Sequence, residues 1–361
     1  MMSMKAVGNV VLDDLVSVLA RKENLTTGMI QPFADFTATL AAVITALYRP
    51  GGRLLAAGHV DPEVEMAADR ADIALQEQLG ESPFVSEPSL VTDAVQSPTD
   101  MIYVANPNRI TGANYSYADL EHMAKTVSRG ALIIDEYYFD FFGISGLPLL
   151  QTCDNVVLIR SFAAPFGVRS SDIGYIMSNP ALINALRQSA PDSNISGTER
   201  KTILTILTSG DAMTARTREI HDESLRLATA LNRQGVQCRI TATDFLLMRV
   251  ADPARVGNHL ARFRTTVDNL DGYPGLDHYV RYRIQSPLSN DRLIEAFTKM
   301  PTEYYHLKSI DRRALKMRLG RHQIATPVNR PTERTTAASS SVDRQTGPEK
   351  PAPKAEIEIG S

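Results

Sequence analysis

The feature that most constrains this chain is a series of short, continuous apolar runs set between amphipathic stretches. "RLLAAG" (53–58), "MIYVAN" (101–106), "ALIIDEYY" (131–138) and "NVVLIRSF" (155–162) are rich in Val, Ile, Leu and Ala and lack the polar alternation of a half-exposed strand. Between and around them lie stretches with helical spacing of apolar residues: "LDDLVSVLARK" (12–22), "DFTATLAAVITALYRPGG" (35–52), "DPEVEMAADRADIALQEQLG" (61–80), "SYADLEHMAKTVSRG" (116–130) and "NPALINALRQSA" (179–190). Strands apolar on both sides belong in a sheet covered on both faces, and alternation with helices makes that sheet mostly parallel. The predicted fold class is therefore α/β. Asp35 or Thr37 is expected to cap the second helix, and Pro50-Gly51-Gly52 to end it. The acidic stretch 61–80 is read as one helix beginning at an Asp-Pro cap.

The length of 361 residues suits a large α/β domain with a smaller companion. Four segments are expected: a short N-terminal helix over 1–24, a large domain over 25–232, a small C-terminal α/β domain over 233–305, and a tail over 306–361. The polar helical stretch 197–235 links the two domains. "CRITATDFLLMRVAD", "ARVGNHLARF", "YVRYRIQSP" and "NDRLIEAFTKM" alternate strand and helix in the small domain. The tail starts basic and weakly helical and then becomes rich in Pro, Thr, Ser and Ala; such a composition cannot bury enough surface to offset ordering entropy, so it is read as disordered.

Composition excludes more than it selects. A formal net charge of −3 gives no warrant for a nucleic-acid partner. The two cysteines, Cys153 and Cys238, fit no metal-ligand spacing and read as thiols in a reducing compartment. No stretch approaches the roughly 20 apolar residues of a membrane span. The N-terminal apolar run, broken by Asp13 and Asp14, is not read as a signal peptide. A cytoplasmic protein without membrane or nucleic-acid partners is the expectation.

Three polar turns follow the carboxyl ends of predicted strands, where open α/β sheets place their ligands: "ANPNRITG" (105–112), "DEYYFD" (135–140) and "RSFAAPFG" (160–167). In order, with "SSDIGY" (170–175) and "YVRYRI" (279–284), they resemble the motifs of fold-type I pyridoxal-phosphate enzymes. The likeness is to the class I/II aminotransferases, and within them the histidinol-phosphate aminotransferase group. Those proteins show Asn-Pro-x-Asn-Pro-Thr-Gly, Asp-Glu-Ala-Tyr, and Ser-x-Ser/Ala-Lys-x-Phe-Gly before an Ile-Gly-Tyr. The resemblance covers about residues 12 to 300.

It implies a pyridoxal 5'-phosphate site with roles carried residue by residue. Asp135 matches the partner of the pyridine nitrogen, Tyr138 the donor to the phenolic oxygen, and Ser161 a serine of the phosphate cup. Arg281 matches the arginine that grips the substrate α-carboxylate, with Arg283 two residues along the same strand as its register alternative. The departures are as specific. Ala164 stands at the Schiff-base lysine position, and a methyl group forms no aldimine. Lys125 and Lys201 lie on predicted helices and cannot substitute. Asp172 stands where the phosphate-clamping arginine belongs and repels an anion. "PFADF" (32–36) replaces the glycine-serine turn of the phosphate helix, placing Phe33 and Asp35 there. Asp61 falls near the position of the stacking aromatic, Arg109 and Ile110 replace the Asn and Pro of Asn-Pro-Thr-Gly, and the N-terminal arm is expected to be missing or very short.

The expectation is a degenerate aminotransferase homologue, a pseudoenzyme in which pyridoxal phosphate is doubtful and no metal is implied. Its partners would be a small amino-acid-like anion held by Arg281, or a second subunit, as a homodimer or a heterodimer with an active homologue. The alternative is an enzyme of the same family that uses the cofactor non-covalently or for other chemistry. Arg109, Arg160 and Arg169 either offer charge to another anion or are solvated turn arginines; His59 and His122 are read as structural or surface histidines.

Overall fold

The computed structural model describes residues 15–141, 143–162, 173–189, 195–208 and 211–307. All of these belong to the unit formed by residues 1–308. Ala164, Arg169, Asp172 and the tail beyond 307 lie outside the described residues.

Seven strands build the larger sheet: β1 (Ile30–Phe33), β2 (Leu54–Ala57), β3 (Leu75–Gln78), β4 (Met101–Ala105), β5 (Ala131–Asp135), β6 (Val156–Ser161) and β7 (Gly174–Met177). Their order is β1-β7-β6-β5-β4-β2-β3. The strands from β6 to β3 run parallel, and β7 is antiparallel to both of its neighbours. The four apolar runs of the sequence are β2, β4, β5 and β6, and their side chains alternate between two cores. Leu55, Ile102, Val104, Leu132, Ile134 and Leu158 pack on one side with Leu15 and Leu19 of the helix α1 (15–23) and Leu120 and Met123 of α5 (Tyr117–Thr126). Leu54, Met101, Tyr103, Ile133, Val157 and Ile159 pack on the other with Leu40 and Ile44 of α2 (Phe36–Leu47) and Val64 and Ala67 of α3 (Pro62–Arg70). Burial of each such side chain stabilises the fold by about 1.5–3 kcal/mol before chain entropy is counted.

Helix ends follow local chemistry. Asp35 is the N-cap of α2, its carboxylate accepting the Ala38 N–H at 2.8 Å. The helix stops at Leu47, just before Pro50. Ser116 and Asp119 form a reciprocal capping box at the start of α5. The stretch 61–80 is not one helix: α3 ends at Arg70, Asp72 takes a left-handed φ of 56°, and Leu75–Gln78 becomes the edge strand β3, parallel to β2. A helix α4 (Pro88–Ala94) and the strands β1 and β7 were not anticipated as such. The β6–β7 pair is tight at Gly174, where a Cβ would lie 2.1 Å from the Arg160 carbonyl oxygen.

The link over 197–235 is two helices, Gly197–Thr208 and Asp211–Arg233. Beyond it an antiparallel four-stranded sheet, order β10-β11-β9-β8, is built from β8 (Gln237–Ile240), β9 (Phe245–Arg249), β10 (Asp268–Asn269) and β11 (Tyr279–Arg283). Its core takes in Ile110, Tyr138 and Phe141, side chains from the turns that follow β4 and β5 of the larger sheet. Those turns therefore lie where the two sheets meet. Among the described residues no helix is long and apolar enough to cross a membrane, and no group of three or more His, Cys, Asp or Glu side chains is placed to hold a metal ion.

Candidate active site

Asp135 is the last residue of β5 and is buried. Its Oδ2 accepts the Tyr103 hydroxyl at 2.7 Å and lies 3.1 Å from Nε of Arg109; its Oδ1 accepts the Tyr137 N–H at 3.0 Å. Tyr103 comes from β4 and reaches Asp135 on the adjacent strand β5. Burial, then the Asp135 charge, push the Tyr103 phenol well above its ordinary value, so it remains a donor.

Arg109 is the centre of the site. Its side chain is 6% exposed and is enclosed by carboxylates and aromatic rings. Besides Asp135, Nη1 meets Glu63 Oε2 at 2.9 Å and lies 4.0 Å from Asp61 Oδ1. Its Cζ lies 4.4 Å from the ring centroid of Phe36 and 4.1 Å from that of Tyr137. The Asp135 contact through Nε is a close charge pair rather than an aligned hydrogen bond, since that N–H finds no acceptor in line. Burial opposes the charged form, but Asp135, Tyr103, Asp61 and Glu63 outweigh it, and the guanidinium is held well above its ordinary value. Each guanidinium–ring contact in so dry a place contributes on the order of 0.5–2 kcal/mol.

The turn that presents Arg109 is fixed by its own polar groups. Asn108 Oδ1 accepts the N–H groups of Ile110 at 3.0 Å and Thr111 at 2.9 Å, and its Nδ2 donates to the His59 carbonyl at 2.8 Å. Asn106 Nδ2 donates to the Ile144 carbonyl at 2.9 Å. Arg281, on β11, reaches the same turn: Nη1 donates to the Arg109 carbonyl at 2.8 Å and Nε to Asp268 at 3.0 Å. Arg283 pairs with Asp244 at 3.4 Å and approaches the Tyr138 hydroxyl at 3.5 Å.

Tyr138 is buried edge-on against Tyr137 and Phe245, and its phenol is pushed well above its ordinary value by burial and then by Asp244. Ser161 ends β6, its hydroxyl 3.4 Å from the Ile173 carbonyl. Asp61 caps α3, accepting the Glu63 N–H at 3.1 Å. Phe33 packs its ring against Gly174. The structure thus brings Asp135, Arg109, Asp61 and Arg281 to one place.

Two readings of arginines need correcting. Neither Arg109 nor Arg160 is a solvated turn residue, and neither offers charge to an outside anion. Arg160 is buried with Nε 2.7 Å from Glu136 Oε2, Nη1 2.7 Å from Glu23 Oε2 and Nη2 3.0 Å from Ser145 Oγ, and its Cζ lies 4.0 Å from the Phe139 centroid. Tyr175 completes the cluster by donating to Glu23 Oε1 at 2.8 Å. His59 is buried as a structural histidine: Nε2 lies 3.0 Å from the Pro274 carbonyl oxygen, and burial lowers its pKa. His122 sits exposed on α5. Tyr103, Phe36, Glu63 and Tyr137 were not singled out from the sequence. The tyrosine at 137, where the resembled motif has alanine, was the available signal.

Residues 57–269, more than half of the chain, match the family model described as aminotransferase class I and II. Histidinol-phosphate aminotransferase 1 of Burkholderia lata is 30% identical over 258 residues, which cover 70% of this chain and 71% of that protein. A histidinol-phosphate aminotransferase of Caldanaerobacter subterraneus is 26% identical over 201 residues, 55% of this chain; the matched stretch spans 57% of that relative's length. The structure of histidinol-phosphate aminotransferase from Sinorhizobium meliloti, in complex with pyridoxal-5'-phosphate, superposes with a TM-score of 0.68 at 18% identity, covering 80% of this chain and 82% of that one, and so shares its fold. With its seven-stranded, mostly parallel sheet and smaller antiparallel sheet, the chain belongs to the class I and II aminotransferase family.

Proposed function

We propose that this chain is a histidinol-phosphate-aminotransferase-like homologue that does not transaminate, because its own side chains stand where the cofactor would bind. The observation that carries this reading is the Arg109 guanidinium at Asp135, over Phe36 and Tyr137. A pyridinium nitrogen has to pair with that same carboxylate, and both of its oxygens are already engaged. The N-terminus of α2 gives a second reason. There the Ala38 N–H, a donor of the kind that receives phosphate, is taken by Asp35. The residues as placed do not fit pyridoxal phosphate. Ala164 and Asp172 in the sequence point the same way, since one supplies no amine and the other repels an anion.

On this reading the protein works by binding. An amino-acid-like anion at Arg281 would have to displace Asp268, so the favoured partner is another subunit, a second copy or an active homologue. The retained Asp135 and Tyr138 favour a second reading, in which the cofactor binds non-covalently after Arg109 moves away. Adding pyridoxal phosphate to the purified protein, followed by dialysis or borohydride and by assay with histidinol phosphate, separates the two. The expected result is a colourless protein without turnover. Colour that dialysis removes supports the second reading, and colour that borohydride bleaches while leaving a pyridoxyl group on the chain, or turnover, defeats the first.

A further inference from the structure

Arg109 sits in its surroundings as a ligand sits in a receptor. The turn 106–112 keeps its shape through Asn106, Asn108 and the Arg281 contact to a main-chain oxygen, none of which uses the Arg109 side chain. The walls around the guanidinium come from three other places: Phe36 at the start of α2, Asp61 and Glu63 at the start of α3, and Asp135 and Tyr137 at the end of β5. Carboxylates meet it through Nε and Nη1, and aromatic rings lie within 4.4 Å of its central carbon.

Such a box selects a class of cation. A flat, delocalised, weakly hydrated ion stacks on aromatic rings and loses little hydration on entry, whereas an ammonium is a compact, strongly hydrated point charge. We infer that the space between Asp135, Glu63, Phe36 and Tyr137 is a binding site for planar monocations of the guanidinium and pyridinium type, occupied in cis by Arg109. The inference rests on the reading that Arg109 fills the cofactor position, and it adds what the emptied position would accept.

Chemical rescue tests it. Arg109→Ala removes the internal ligand and leaves Asp135 buried without its cation, so the variant melts below the wild type. Guanidinium chloride at millimolar concentration is expected to raise the melting midpoint of R109A by at least about 2 °C, and N-methylpyridinium to do the same. Wild type should not gain, and methylammonium and sodium at equal ionic strength should not rescue. The double variant R109A/D135N no longer buries an unpaired carboxylate and is expected to fold without responding to either cation. If R109A does not fold alone, its refolding yield from urea with guanidinium rather than sodium supplies the same comparison. Equal effects on wild type and R109A, equal rescue by methylammonium, or an undiminished response in R109A/D135N would overturn the inference. Failure of rescue with a colourless wild type sinks this inference alone; a wild type that takes up pyridoxal phosphate sinks the functional reading, whatever R109A does.

Discussion

Replacing Arg160 with methionine tests whether the buried charge cluster at the end of β6 holds the fold together. Methionine keeps an unbranched apolar stem and removes the guanidinium with its charge. Two carboxylates then lose the guanidinium: Glu136, whose side chain is fully buried, and Glu23, 5% exposed, which keeps Lys22 Nζ at 3.3 Å. Each keeps some support. Glu136 still accepts the Gly146 N–H at 2.7 Å, and Glu23 still accepts the Tyr175 hydroxyl. Breaking a buried pair by removing one partner costs about 3–5 kcal/mol, because the charge left behind is not solvated. For a unit of about 300 residues that is a fall of roughly 5–8 °C in the melting midpoint, read by calorimetry or circular dichroism. The triple variant R160M/E136Q/E23Q, neutral throughout, should recover most of the loss. Acid supplies a second readout. Burial pushes the Glu136 carboxyl up, above its ordinary value of 4.5, even against Arg160. A carboxyl raised in the folded state favours folding at low pH and loses that contribution as pH rises through its folded value. In R160M the Glu136 shift grows, so the midpoint deficit should shrink as pH falls toward the carboxylate range. A midpoint within about 2 °C of wild type, the effect expected of an exposed turn arginine, would refute the argument.

Two further outcomes follow from the same structure. Asp100 is buried, and although burial raises its carboxyl, the side chain of Arg53 and the N–H groups of Gln96, Arg53 and Ser97 outweigh it and hold it below 3.8; its contribution is present above the unfolded pKa and lost as pH falls through the folded one, so D100N should cost about 2 kcal/mol near neutrality and much less in acid, as melts at the two pH values will show. A164K alone should stay colourless with pyridoxal phosphate and carry no pyridoxyl group at residue 164 after borohydride, because a new amine does not move Arg109 from Asp135 or Asp35 from the N-terminus of α2; measurable transamination by this single variant would contradict the account of the site.

What could be read from the sequence divides along a physical line. β2, β4, β5 and β6 are buried on both faces, and their composition records that directly. β3 is a half-exposed edge strand of sequence Leu-Gln-Glu-Gln with a single apolar residue, following a helix that the periodicity would extend across Asp72. β1 contains Pro32, which an edge strand paired only with β7 tolerates and a central one would not. In both strands it is pairing with a neighbour, not composition, that makes the strand. The strand-end turns were legible because they are short and local, and so was the place of Asp135 at the end of a strand. Arg109 and Arg160 were not, because a long side chain can be satisfied by residues far along the chain: Arg109 meets Glu63, and Arg160 meets Glu23. Position in a turn predicts exposure only when no such partner folds over it.

The same point bears on how a carboxylate can be buried at the end of β5. A buried carboxylate without a cation is costly enough that it would be expected to disappear once nothing paired with it. The coenzyme would bring a planar cation to Asp135 and an anion to a helix N-terminus. Here the chain supplies Arg109 to the first and Asp35 to the second. The negative charge at the strand end and the positive end of the helix are therefore both met from within. The framework can remain that of a coenzyme-dependent family, and the carboxylate that most resembles a cofactor ligand can be kept by the need to neutralise it rather than by catalysis.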